Sequence, residues 1–219
     1  MKLGQLINQS LLEGVQKLAG GKKGVLVLDI DDTLVTAQNI FIHKIMPDGK
    51  VIKLTPEQFA KDPDKSTAKE KKIQYSIEEF RDPVKVRNSI VTGIPIIKNL
   101  RIMDDHINSG WDIAILTARG LEDVIFKSLS KFLMFRNPEG ELKEIKDILV
   151  RGMVHAINDE AKIYKGTTDF EKKAIVITQL AEKYDHVKFV DDDVRNVEAV
   201  KGLKLKNVQV IKAWGKGDK

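Results

Sequence analysis

Two aspartates separated by a single residue follow an apolar run in this chain: Val25-Leu26-Val27-Leu28 leads into Asp29-Ile30-Asp31-Asp32-Thr33. Side chains of an extended strand alternate faces, so Asp29 and Asp31 are expected to point the same way and Asp32 elsewhere. Two carboxylates in one small space repel each other without a cation between them, which points to a metal site. The plainer use of the same residues is Asp32 or Thr33 capping the next turn. Three further clusters sit at the end of an apolar run or the start of a helical stretch. Ile115-Leu116-Thr117-Ala118-Arg119-Gly120 offers a hydroxyl and backbone N–H groups that can cradle a phosphate, or an ordinary helix cap in Thr117. Lys172-Lys173 stands where a cation opposes a helix dipole, so one lysine can instead reach over the sheet edge, or both lie on the surface. Phe189-Val190 runs into Asp191-Asp192-Asp193 and Val194-Arg195-Asn196, a second set of acids behind an apolar strand.

Secondary structure must bring these clusters together. Residues 25–30 have the apolar, β-branched pattern of a strand buried on both faces of a parallel sheet. Further strands are predicted at 113–116, 148–154, 187–190 and 208–211, and helices at 95–108, 121–135, 170–184 and 194–200. This alternation predicts an α/β fold with a doubly wound parallel sheet, whose ligands sit beyond the carboxyl ends of the strands. Residues 36–91 break the rhythm. Runs at 40–45 and 51–54 flank Pro47-Asp48-Gly49-Lys50 and predict a β-hairpin. Thr55, Pro56 and Gln58 predict a capped helix start, and 61–72 a charge-dense loop or solvated helix end. The expected organisation is a core of residues 1–35 and 92–219 with a small cap insert of residues 36–91. Leu3, Leu6, Ile7, Leu11, Val15 and Leu18 predict an amphipathic first helix ending at Gly20-Gly21.

Composition narrows the functional classes. The 219 residues, 42% apolar and 6% aromatic, suffice for one full core and a modest insert. With no cysteine, disulfides, thiolate metal sites and a cysteine nucleophile are excluded, which fits a reducing compartment. No stretch reaches the ~20 apolar residues of a membrane span, and Gln5, Asn8, Gln9, Ser10 and Glu13 interrupt any export signal. A cytoplasmic location, with no membrane partner, is therefore expected. The net charge of +5, from 37 basic and 32 acidic residues, tilts weakly toward anionic partners. No GxxxxGK[ST] loop occurs, which argues against a kinase.

In order and spacing, DIDDT (29–33), LTARG (116–120), Lys173 or Lys172, and DDDVRN (191–196) resemble the haloacid dehalogenase (HAD) superfamily over nearly the whole chain. The second acid, Asp31, places the resemblance in the phosphotransfer branch. The resemblance implies Asp29 as nucleophile and Asp31 as general acid and base. It implies Mg²⁺ on Asp29, Asp31 (through its backbone carbonyl) and Asp191 or Asp192. Thr117, Ala118, Arg119 and a lysine would hold the phosphate. Lys173 is preferred because Leu180-Ala181-Glu182 follows it at the family's usual distance, with Lys172 the alternative. Asn196 completes a DDxxxN pattern counted from Asp191, leaving Asp193 as the spare acid.

Between Thr117 and Lys173 there is room for one helix, one strand and a loop, so a large cap there is not expected. The insert is smaller than a helical-bundle cap, which predicts a rather open site. A narrower similarity, in KLTPEQFA and IEEFRDP, is to phage-encoded members related to the 3′-phosphatase domain of polynucleotide kinases. The expectation is a Mg²⁺-dependent phosphomonoesterase acting on a phosphorylated substrate, with nucleic-acid 3′ ends preferred. The alternatives are a phosphatase of nucleotides or sugar phosphates, and a phosphate-binding module without turnover. No protein partner is predicted.

Overall fold

The computed structural model describes residues 24–215; the predicted first helix lies outside them. Five parallel strands form the central sheet: β1 (Gly24–Leu28), β7 (Asp112–Thr117), β10 (Val154–Ala156), β11 (His186–Asp191) and β12 (Val208–Lys212), in the order β10-β7-β1-β11-β12. Strand periodicity divides its apolar residues cleanly. Leu26, Leu28, Ile113, Ile115 and Val190 face one core, and Val25, Val27, Ala114, Leu116, Val187 and Phe189 face another. The first core is closed by α2 (Pro83–Val91), α3 (Ile97–Asn108) and α4 (Glu122–Phe132) through Val86, Ile90, Met103, Ile125 and Leu129. The second is closed by α5 (Asp169–Ala181) and α6 (Val194–Gly202) through Ala174, Val176, Ile177, Leu180 and Val200. The architecture is thus α/β, with helices on both faces of a parallel sheet. No described helix is long and apolar enough to cross a membrane.

The chain leaves this core at β2 (Val35–Thr36) and returns at β6 (Ile94–Pro95), which pair antiparallel and pin the two ends of the insert side by side. Between them β3 (Ile42–Ile45), β4 (Val51–Leu54) and β5 (Gln74–Ser76) form a small antiparallel sheet in the order β4-β3-β5. Helix α1 (Pro56–Ala60) begins with the capping box of Thr55 and Gln58. Where the charges of 61–72 predicted a loop or helix end, a 3₁₀ helix at Pro63–Thr67 is capped by Asp62. Ion pairs cross-link the insert. Lys44 of β3 bridges Asp62 and Asp64, and Glu79 joins His43, Lys85 and the Phe41 N–H. The last helix of the segment, α2, packs on the core sheet through Val86 and Ile90.

Two sequence expectations are corrected. The strand predicted at 148–154 is confined to Val154–Ala156. Before it come 3₁₀ turns at Ile145–Asp147 and Arg151–Met153; Ile145 in the first and Leu149 between the two, its N–H donating to the Ile145 carbonyl, are buried in the core, so the apolar run serves a turn. Between Thr117 and Lys173 there is also an antiparallel hairpin, β8 (Met134–Arg136) with β9 (Leu142–Glu144), beyond the helix, strand and loop allowed for.

Asn99, fully buried on α3, ties the core to the loop after β1. Its amide donates to the carbonyls of Thr33 (2.7 Å) and Trp214 (3.0 Å) and accepts the Trp214 N–H (3.1 Å). Asn99→Ala strands these backbone groups and is expected to lower stability by about 2–4 kcal/mol. Urea denaturation of variant and parent, read as the shift in midpoint at unchanged slope, measures it.

Candidate active site

Because β1 lies between β7 and β11, the carboxyl ends of three adjacent strands carry Asp29, Thr117 and Asp191. Asp29 extends the ladder by one step, its N–H donating to the Val190 carbonyl at 3.1 Å. The chain then turns sharply. The N–H groups of Thr33, Leu34 and Val35 all donate to the Ile30 carbonyl, and Asp32 takes a left-handed φ of 52°. Thr33, fully buried, accepts the Asp192 N–H on its hydroxyl at 3.1 Å, which couples the loop after β1 to the loop after β11.

Helix α5 starts at the capping box of Thr168 and Glu171, and its apolar stripe of Ile177 and Leu180 lies four and seven residues beyond Lys173. That stripe carries Lys173 inward. Its side chain is 1% exposed, with Nζ 2.7 Å from Asp191 Oδ2 and 3.0 Å from Asp29 Oδ1. Lys172 faces away and donates to Asn158 Oδ1 at 2.7 Å, so of the two adjacent lysines Lys173 is the one among the acids. Asn196 donates to both Asp191 oxygens at 3.0 Å, and Asp191 Oδ1 also accepts the Asp193 N–H. Asp193, the spare acid of the sequence pattern, caps α6.

Single oxygens of Asp29, Asp191 and Asp192 lie within 4.8 Å of one another. Burial raises Asp29 well above the usual carboxylate range; Lys173 opposes the shift, while Asp191, Asp192 and Asp31 add to it. Burial, then Asp191 and Asp32, push Asp192 up to about 7 against the pull of Lys173. Lys173 itself is disfavoured by burial, but Asp191 and Asp29 outweigh this and hold it above its ordinary value. Asp29 Oδ1 is buried and, despite the ion pair to Lys173, has no aligned hydrogen bond. An all-oxygen donor set with more negative charge than its lysine neutralises, and with one carboxylate oxygen lacking a hydrogen bond, fits a hard divalent cation such as Mg²⁺.

The Asp31 carboxylate is not among the three that converge. The chain bends at Ile30, between the two aspartates, and Asp31 pairs with Arg119, whose Nε and Nη2 are each 2.7 Å from one of its oxygens. The same-face expectation for Asp29 and Asp31 therefore gives way to separate partners. Arg119, expected at the substrate, is 3% exposed and engaged with Asp31, Ser89 and the Val86 carbonyl. Thr117 is buried and accepts the Arg119 N–H at 3.3 Å; it is not the cap of α4, whose N-cap is Leu121 at φ 61°. The first N–H of that helix donates to Asp159 instead. Ala118 is exposed, and its carbonyl accepts from Asn158. Gly120 is required because a Cβ there would lie 2.9 Å from the Asn158 carbonyl oxygen. Sequence reading missed Asn99 and Ser89, whose only signal is a polar residue on an otherwise core-facing side of a helix.

No protein-family model and no curated protein matches the chain. Among solved structures it is similar to a HAD family enzyme from Bacteroides thetaiotaomicron, crystallised with magnesium and inorganic phosphate. The identity is 12%, with 90% of this chain and 97% of that chain covered and a TM-score of 0.44. A HAD-like family hydrolase from Porphyromonas gingivalis also shares 12% identity, over 90% and 93% of the two chains, with a TM-score of 0.40.

A carboxyl group whose folded pKa is raised binds more protons folded than unfolded, so its effect on stability worsens as pH rises from its unfolded value through its folded one. For Asp192 that window runs from about 4 to about 7. Mg²⁺ is therefore expected to raise the melting temperature more at pH 8 than at pH 5. At about 100 times its Kd it should add on the order of 5–10 °C at pH 8. Asp192→Asn should raise the metal-free melting temperature at pH 8 and abolish most of the Mg²⁺ gain. Calorimetry at the two pH values with EDTA or Mg²⁺ checks both.

Proposed function

We propose that this chain is a Mg²⁺-dependent phosphomonoesterase of the HAD type, using Asp29 as nucleophile. The observation that carries this reading is the buried meeting of Asp29, Lys173 and Asp191, three residues remote in sequence, at the carboxyl edge of the sheet. The Asp29 carboxylate attacks phosphorus, a bond forms from its oxygen to phosphorus, and the ester P–O bond breaks. Asp31, entering the step protonated on a lone pair that the Arg119 fork leaves free, gives that proton to the departing oxygen. It then takes one from the water that attacks the aspartyl-phosphate and frees Asp29. Lys173 and Thr117 hold the non-bridging oxygens as charge spreads over them, with the backbone of Ala118 beside them. Mg²⁺ would be held by Asp29, the Asp31 carbonyl and Asp191 or Asp192, where it supplies charge neutralisation for phosphate and acids together. Lys172, through Asn158, anchors the loop beside Ala118. Within residues 36–91, the part before α2 serves as the cap, since α2 packs on the core sheet.

For substrate we propose nucleic-acid 3′-phosphate ends, a reading that draws on the short sequence similarity in KLTPEQFA and IEEFRDP. Support comes from the basic insert, where Lys69 and Lys72 are exposed and Lys65 lies 4.1 Å over the Phe59 ring. The small-molecule reading is favoured by one observation: Lys61 and Lys71 are paired with Glu57 and Asp64, which thins the basic surface.

Asp29→Asn is expected to abolish turnover of an aryl phosphate while leaving the fold intact; residual activity above a few per cent overturns the assignment. Asp31→Asn should be impaired more on poor leaving groups than on good ones, measured as kcat/KM across an ester series. An oligonucleotide with a 3′-phosphate should show a higher kcat/KM than a 3′-mononucleotide, the excess shrinking as salt rises. Equal values at low salt would select the small-molecule reading.

A further inference from the structure

Asp31 does not meet its guanidinium alone. Behind Arg119, Ser89 of α2 is fully buried, and its Oγ accepts from Arg119 Nη1 at 2.8 Å. The Ser89 hydroxyl has one proton, and that proton is committed to the Val86 carbonyl at 2.8 Å. The serine therefore presents only lone pairs to Arg119, and its orientation is fixed by the helix on which it rides. The Val86 carbonyl lies 3.5 Å from the same Nη1, and the Phe80 ring covers the guanidinium with Arg119 Cζ 5.8 Å from its centroid. Arg119 is thus held on the edge away from Asp31 by Ser89 and Val86, and its opposite edge, Nε and Nη2, forks both oxygens of Asp31.

A fork of this kind fixes the plane of a carboxylate as well as its position. General-acid catalysis needs that carboxyl within hydrogen-bond reach of the leaving oxygen, and a small misplacement is felt as a large loss. We propose that Ser89 is a positioning residue for the general acid: acting through Arg119, it sets the orientation of Asp31. Ser89 lies outside the four clusters that carry the chemistry. Its distance from Asp31 in sequence, on the helix returning from the insert, gives no hint of the connection. The proposal rests on the phosphomonoesterase reading and on the role of Asp31 in it.

The test compares 4-nitrophenyl phosphate, whose leaving group needs little protonation, with benzyl phosphate, whose leaving group needs a full proton. Ser89→Ala places a strong helix former at a helical position, and a melting curve verifies its fold. The expected result, read as kcat/KM because that ratio reports the step that expels the leaving group, is a ten- to thirtyfold loss on benzyl phosphate and less than threefold on 4-nitrophenyl phosphate. In a background carrying Arg119→Lys, which keeps the charge and loses the fork, Ser89→Ala should add less than twofold. Equal losses on the two esters, or losses that multiply with those of Arg119→Lys, overturn the proposal and leave the functional reading standing. A parent protein that hydrolyses neither ester in Mg²⁺, or an Asp29→Asn variant that still hydrolyses them, overturns the functional reading and the proposal with it.

Discussion

Negative charge in excess of its buried counter-charge is the constraint around which the carboxyl edge of the sheet is built. Asp29, Asp191 and Asp192 approach closely with Lys173 as the buried cation among them. An arrangement of this kind is unfavourable unless each acid is held from elsewhere. The holding groups are visible. Asn196 and the Asp193 N–H satisfy Asp191, Thr33 takes the Asp192 backbone, and the capping box of α5 together with its apolar stripe delivers Lys173. The two apolar cores on either face of the sheet fix strand order, and strand order makes the three acids neighbours.

The insert is held by a different kind of interaction. It has few buried apolar residues, Ile42 and Ile73 among them, and relies on Lys44 with Asp62 and Asp64 and on Glu79 with His43 and Lys85. Ion pairs need specific partners at specific distances, so they fix relative position well while adding little stability apiece. Such a construction is compatible with the cap role proposed for this segment. Its last helix, α2, belongs to both regions: Val86 and Ile90 pack on the core, while Ser89 reaches Arg119.

Legibility in the sequence followed the range of the interactions concerned. The alternation of strands and helices, the hairpin turn and the capping box of α1 depend on residues within a few positions of one another, and these local patterns match the structure. Where turn and strand compete for the same apolar residues, as at 148–154, composition alone favours the strand, and only the packing of Leu149 with the preceding Ile145 decides otherwise. The choice between Lys172 and Lys173 turns on which residue shares a helix face with Ile177 and Leu180, a question the sequence poses and the register of α5 answers. The separate partners of Asp31 and Asp29 were invisible, because they depend on a bend at Ile30 and on an arginine at a different strand end. Asn99 was hidden for the same reason: its partners are backbone groups of distant segments.

Those separate partners give two neighbouring aspartates opposite surroundings, and the proposed chemistry needs them to differ. Asp31 lies against a guanidinium that holds both of its oxygens and leaves it 23% exposed at the side chain, at the edge where a leaving group and water can reach it. Asp29 is buried among acids, and burial is the largest influence raising its pKa. A nucleophilic carboxylate must be ionised, and in this setting ionisation is unfavourable while the negative excess persists. Neutralising that excess with a divalent cation favours the carboxylate form, so formation of the charged site and readiness of the nucleophile become one event. Lys173 cannot do this alone, because it is shared with Asp191 at the shorter distance of 2.7 Å and reaches Asp29 at 3.0 Å without an aligned hydrogen bond. In the proposed chemistry the imperfect pairing of Asp29 would tie its reactivity to the cation, while the fork from Arg119 would make the orientation of Asp31 a property of the protein alone.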